Sequence, residues 1–271
     1  MRLVIAGLVL VAASVQAQTT VQYRSPAGVE YRSQADTGAV ARAKAGLEID
    51  PRDVQRYIAL GIAQSGVRQF REAIETFTKG LAIEPNNALL LRWRGHRYLS
   101  TRQFDLAVAD FARGARIDTT IYGTWYHWGI VRFAKGDFNG TAQAFARALP
   151  IAPDGGELNG SVDWLWMSLS RAGKHAEAKA LLDRKPDTTS VKNAYSQRIA
   201  MYRGLSAPEQ LITPADTADV QASTLNFGLG NYYLIKGDAA KARAAFEKSI
   251  AAGGWPGFGF IISEIELKRM K

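Results

Sequence analysis

The sequence predicts an all-α fold, a solenoid of stacked antiparallel helix pairs. Two observations lead there. Between positions 54 and 155, small and aromatic residues recur in one register: Gly61, Gly95 and Gly129, then Phe70, Phe104 and Phe138, then Phe77, Phe111 and Phe145. The interval is about 34 residues, the length of a two-helix repeat unit. Within a unit, apolar residues such as Phe70, Ala73, Phe77 and Leu81 fall at helical spacing and share one face. Hydrophobic residues make up 47% of the chain and charged residues 22%, so a packed core is expected rather than disorder.

The chain starts with Met1-Arg2, an apolar run from position 3 to about 13, and then Ser14-Val15-Gln16-Ala17. One positive charge, a short apolar stretch and small residues near its end read as a secretory signal peptide over 1–17, cleaved after Ala17. The run is shorter than the roughly 20 residues that a spanning helix needs. There is no cysteine, which closes disulfides, thiol chemistry and a lipid anchor on a cleavage-site cysteine. A periplasmic or secreted protein with no integral membrane span after signal removal is therefore expected.

Residues 18–35 contain Tyr23-Arg24-Ser25 echoed by Tyr31-Arg32-Ser33. Pro26 and Gly28 argue against a helix there. An irregular or extended arm is expected, either free or packed on the scaffold. The half-unit 36–53 follows as a front cap, because Ala39, Gly46-Leu47 and Pro51 stand one period before Ala73, Gly80-Leu81 and Pro85.

Three clear units are expected at 54–87, 88–121 and 122–155. In the first, helices over 54–65 and 70–83 cross closely at Gly61 and Ala73. A glycine inside a helix costs about 0.5–1 kcal/mol against alanine, so three in one register imply a packing need. The phenylalanines would fill the space between units, each stabilising by roughly 1.5–3 kcal/mol when buried. Gly66 and Gly136-Asp137 mark the turns, and Pro85 and Pro153 stop the second helices. Residues 157–186 read as a degenerate unit, 187–220 as a helix with loops, and 221–254 as a further unit. The segment 257–271, with Ile261, Ile262, Ile265 and Leu267 against Glu264, Glu266, Lys268 and Arg269, reads as an amphipathic helix closing the last face.

These small residues, aromatics and prolines, agreeing in register, resemble the tetratricopeptide repeat (TPR) family. The resemblance implies a right-handed α-α superhelix whose inner surface, lined by the first helix of each pair, binds peptides or protein segments. The second half, through Pro208-Glu209-Gln210-Leu211, Gly228-Leu229-Gly230-Asn231-Tyr232-Tyr233 and the 264–269 ending, is similar to periplasmic TPR adaptors of the NlpI type. That likeness implies an adaptor for envelope proteins. The lipid anchor of those adaptors needs a cysteine and does not carry over.

Mapped onto the family's inner positions, the groove would be lined by Gln55, Arg92, Trp93, His96, Tyr126, His127, Ile130 and Phe133, with Ile58, Ile62, Leu89 and Leu99 beside them. Arginine can grip a carboxylate bidentately and aromatics give rigid contact area. A partly acidic, partly apolar peptide segment is the ligand this set fits. The alternatives are core packing for Trp93 and Tyr126, and solvated surface for Arg92, His96 and His127. The lysines and asparagines of the family's carboxylate clamp have no counterpart at Ile58, Ile62, Trp93 and Gly123.

The formal net charge of +9 suits anionic partners. With an export signal these would be acidic proteins or, at the envelope surface, lipid headgroups and cell-wall polymers rather than nucleic acid. His96, His127 and His175 show no metal-ligand spacing, and no nucleophile motif or phosphate loop is present, so no cofactor, metal or catalysis is expected. The sequence thus points to an exported, non-catalytic protein-protein interaction scaffold. The alternative is a structural subunit of an envelope assembly held by its outer edges or by residues 255–260. A cell-wall hydrolase comes last.

Overall fold

The computed structural model describes residues 19–184, 191–216 and 218–271. The expected signal segment and the linker near 186–189 lie outside them. A hairpin of β1 (Val21–Arg24) and β2 (Glu30–Arg32) precedes a lone helix α1 (Ala39–Ile49). Helix pairs follow: α2 (Val54–Gly66) with α3 (Phe70–Ile83), α4 (Ala88–Ser100) with α5 (Phe104–Ile117), and α6 (Tyr122–Lys135) with α7 (Phe138–Ala148). Next come α8 (Gly155–Arg171) with α9 (His175–Asp183), the single α10 (Ala194–Tyr202), and α11 (Asp219–Ile235) with α12 (Ala239–Ala251). Helix α13 (Phe258–Arg269) ends the chain. Successive helices pack on one another from α1 to α9, and α10 packs on α8 and α11.

The helix starts are chemically specified. Asp53, Asn87, Asp137, Asp154 and Asp238 each accept a hydrogen bond from a backbone N–H in the first turn of the helix they precede. The repeated glycines lie inside helices and meet the repeated phenylalanines. A Cβ would come within 2.3 Å of Phe77 at Gly61, 2.8 Å of Phe111 at Gly95, 2.5 Å of Phe145 at Gly129 and 2.5 Å of Phe246 at Gly230. Each ring therefore fills the crossing inside its own pair, rather than only the gap between units. Phe145 also stacks on Trp164 of the next pair, centroids 6.0 Å apart.

The turns between paired helices differ from expectation. Gly136, Gly173 and Gly237 hold the left-handed conformation in three pairs. In the first two, the corresponding residues are Arg68 and Arg102, with φ of 58° and 63°, while Gly66 is still helical. A side chain in this conformation costs roughly 1–2 kcal/mol. Both arginines reach the far end of the chain. Arg68 pairs with Asp219 at 3.2 Å, and Arg102 pairs with Glu264 at 2.7 Å.

The stack therefore closes on itself, and α13 does more than cap the last pair. It packs on α11 and α12 and also on α6, the first helix of the third clear unit. Arg269 donates to the carbonyls of Phe133 and Ala134 at the end of α6. Glu264 and Glu266, expected on a solvated face, are turned inward. Glu266 is 1% exposed and pairs with Arg171 and Arg269.

The described part of the arm, residues 19–35, is extended, with a regular hairpin over 21–32 rather than irregular chain. Pro26 and Gly28 form its turn, with Gly28 left-handed. Its tyrosines pack on the far end of the chain: Tyr31 lies 5.6 Å from Trp255 and 5.6 Å from Phe260, and Phe70 lies 5.3 Å from Trp255. The buried Gln22 side chain accepts from the N–H of Arg71, so the hairpin caps α3, which has no side-chain cap of its own. Trp255 and Phe260 are consequently 3% and 0% exposed. Within the 255–260 segment, Trp255 and Phe260 are thus spent on closure rather than offered at the surface.

The second half is held by an ion pair with no solvent access, Asp163 of α8 with Arg198 of α10 at 2.9 Å. Arg198 also reaches the Tyr202 hydroxyl and the Thr224 carbonyl. A Cβ at Gly228 would come within 2.1 Å of its Nε, so this glycine makes room for the guanidinium.

Candidate functional site

With α13 lying along the inner surface, what stays open there is a pocket of about 480 Å³. Its walls are Arg92, Trp93 and His96 of α4, Tyr122, Tyr126 and His127 of α6, the starts of α8 and α10, and Phe258 of α13. Five of the expected groove residues meet here: Arg92, Trp93, His96, Tyr126 and His127. The other three do not. Gln55 is exposed on α2, away from the pocket. Ile130 and Phe133 are 0% exposed. Phe133 packs edge-on against Trp164 and Phe138, beneath the α13 contact. An inward-facing register position does not stay open once a later helix covers it.

Sequence reasoning missed Tyr122, Asp154, Glu157, Asn193, Tyr195 and Phe258, which complete the walls. Asp154 and Asn193 carry a legible signal as helix caps. Phe258 carries none, because it reaches the pocket only through the return of α13.

The imidazoles of His96 and His127 stack with centroids 3.9 Å apart. Phe258 lies against both, at 5.6 and 5.5 Å. His127 donates from Nδ1 to the Gly123 carbonyl, which fixes its tautomer and leaves Nε2 as the second ring nitrogen. The Arg92 guanidinium lies 3.8 Å over the Trp93 ring. Gly123 leaves it space, since a Cβ there would sit 2.3 Å from the Arg92 Nε. Behind the pocket, Arg97 is 7% exposed and stacks over Phe70 at 4.7 Å.

This cluster is electrically unbalanced. Among the described residues no carboxylate lies within ion-pair distance of Arg92 or Arg97. Burial lowers the pKa of Arg92 to about 10, against the attraction of Glu157, and that of Arg97 to about 9, with Arg92 adding repulsion. Burial, with Arg97 and Arg92 beside them, holds both histidines well below their ordinary value, so they are neutral near pH 7. Arg92 Nη1, His96 Nδ1 and Arg97 Nε are buried with no hydrogen-bond partner. Across the pocket, Glu157 accepts from the Tyr122 hydroxyl and Asp154 caps α8. Tyr126 donates to the Tyr195 hydroxyl, and burial raises the pKa of both.

The fold and this inner surface define a helical repeat protein of the α-α superhelix class. Residues 223–252, the α11–α12 pair, match the Tetratricopeptide repeat family. The earlier pairs share its register, which supports a tetratricopeptide-repeat fold for the rest of the stack. It is 26% identical over 96 residues to the heat-shock protein cognate (HSC) co-chaperone sgt12 of Aspergillus fumigatus, covering 35% of this chain and 28% of that protein. It is 25% identical over 112 residues to the protein bimA of Emericella nidulans, covering 41% and 14%. The matches thus span less than a third of either relative's own length. Among solved structures, YrrB, described as a TPR protein with an unusual peptide-binding site, superposes with a TM-score of 0.51 at 16% identity over 79% of this chain and 93% of that one. That likeness shows the fold. MamA superposes with a TM-score of 0.48 at 17% identity, over 63% and 85%.

Proposed function

We propose that the protein is an exported, non-catalytic scaffold that captures a segment of a partner protein at the inner surface left open between α4, α6, α8 and α10. The observation that carries this reading is the pocket itself, a concave, aromatic-walled opening on the first helices of successive pairs. The tetratricopeptide fold supports it, since such repeats serve as interaction scaffolds. The co-chaperone relative and the peptide-binding site named for YrrB point the same way. Export rests on the 1–17 segment, and an adaptor role among cell-envelope proteins rests on that export together with the basic surface. The chain's net charge of +9 favours a partly acidic partner.

Cross-linking in the native envelope tests the capture, comparing the protein with its Arg92→Ala/His127→Ala double variant. A partner recovered by the first and lost by the second supports the reading. An unchanged set of cross-links ends it. Export is tested separately by sequencing the amino terminus of the mature protein, expected at Gln18, and by cell fractionation.

A further inference from the structure

We propose that the pocket between α4, α6, α8 and α13 binds an organic monocarboxylate with an aromatic or bulky apolar body. This deepens the scaffold reading by naming the chemistry the pocket selects, and rests on that reading only for the pocket's role in capture.

The argument begins with unmet hydrogen bonds. A buried polar group without a partner is costly, and native proteins carry few. Three such atoms, Arg92 Nη1, His96 Nδ1 and Arg97 Nε, fall in one cluster. Arg92 and His96 line the pocket and Arg97 stands directly behind them. Among the described residues the two guanidiniums lie against aromatic faces and have no carboxylate within ion-pair distance. A carboxylate at the open side of the Arg92 guanidinium would supply the missing negative charge, and charge-assisted hydrogen bonds of this kind are the strong ones. The neutral His96 imidazole can add an N–H donor without adding charge, whereas the one proton of neutral His127 is already held by the Gly123 carbonyl.

The walls set the rest of the ligand. Trp93, Tyr126 and Phe258 offer ring faces to an apolar body, and a volume near 480 Å³ suits a small molecule or one or two residues of a peptide end. Asp154 and Glu157 on the opposite wall disfavour a dianion such as phosphate. A monocarboxylate fits both walls. It can come from a free small molecule or from a chain terminus, and the two sources share this recognition.

Calorimetric titration of the mature full chain with N-acetylphenylalanine, its amide and inorganic phosphate tests the proposal. The expected result is saturable one-to-one binding of the acid, at least about ten-fold tighter than the amide, with no competition from phosphate. Arg92→Gln should bring the acid down to the amide's affinity at an unchanged melting temperature. Glu157→Gln keeps the test open should the first variant misfold. It should tighten the acid about three-fold and leave the amide alone. A tetrapeptide ending in phenylalanine binding tighter than the single residue assigns the site to chain termini, and weaker binding assigns it to small solutes. Either result supports the carboxylate site. Equal affinity for acid and amide, displacement by phosphate, or no binding of the acid would overturn it. Cross-linking lost on Arg92→Ala/His127→Ala while acid and amide bind alike would refute this proposal and leave the scaffold reading standing.

Discussion

Arg102 and Glu264, 162 residues apart in the chain, are joined by two hydrogen bonds to one carboxylate oxygen, 3.0 Å from Nε and 2.7 Å from Nη2. The same guanidinium donates to the Trp255 carbonyl and stacks over Tyr23 at 4.0 Å. One side chain thus ties the second helix pair, the last helix and the amino-terminal hairpin together. It does so from a left-handed turn position that glycine occupies in later pairs.

Removing either partner of this tie leaves a largely buried charge without its mate. Arg102→Ala and Glu264→Gln should each destabilise the fold by about 3 kcal/mol. The double variant should cost clearly less than the sum. Urea denaturation of the four proteins provides the cycle, and additive losses would show that the pair is not coupled.

The glycine register makes a paired prediction. Gly61→Ala places a methyl 2.3 Å from the Phe77 ring and should cost about 1–3 kcal/mol. Gly66→Ala, at the end of the same helix with nothing within 4 Å of the new methyl, should stabilise by about 0.5–1 kcal/mol. Melting temperatures that move in opposite directions confirm that crowding, not helix propensity, fixes Gly61.

Acidification should weaken the fold through its two buried histidines. His96 and His127 are held well below 6.5 by burial and by the neighbouring arginines. In the unfolded chain they take up protons near that value, while in the folded chain they do not. Their contribution is present above 6.5 and is lost as pH falls from there toward the folded values. Melting temperature should therefore drop between about pH 7 and pH 5, and His96→Asn should flatten the drop. A profile unchanged by that substitution would contradict the assignment.

Deleting residues 253–271 should uncover the inner surface. Trp255, Phe260, Ile261 and Ile262 leave the core, and the Phe133 and Ala134 carbonyls lose Arg269. The shortened chain is expected to stay helical by circular dichroism, to bind an apolar dye, and to unfold in a broader transition.

Much of this architecture is legible in the residues. Gly61, Gly95 and Gly129 with their phenylalanines fix the pairs, because one packing problem is solved with the same two side chains each time. Arg92, Trp93, His96, Tyr126 and His127 come to one pocket because the register places them inward. What stays hidden is whatever depends on distant chain. Glu264 and Glu266 have the spacing of a solvated helix face, and only the arrival of Arg102 and Arg171 makes them interior. Ile130 and Phe133 share the inward register, yet the later helices bury them. Arg68 and Arg102 stand where glycine gives the turn away, so their sequence carries no mark of a turn.

The tie between the first pairs and α13 bears on how the chain reaches its shape. An open array can gain structure neighbour by neighbour as it is synthesised. Here the hairpin can meet α3 early through Gln22, but Tyr23 and Tyr31 wait for Trp255 and Phe260, so its docking is completed only when residues 255–260 have been made. Contacts so far apart slow the search for the finished state.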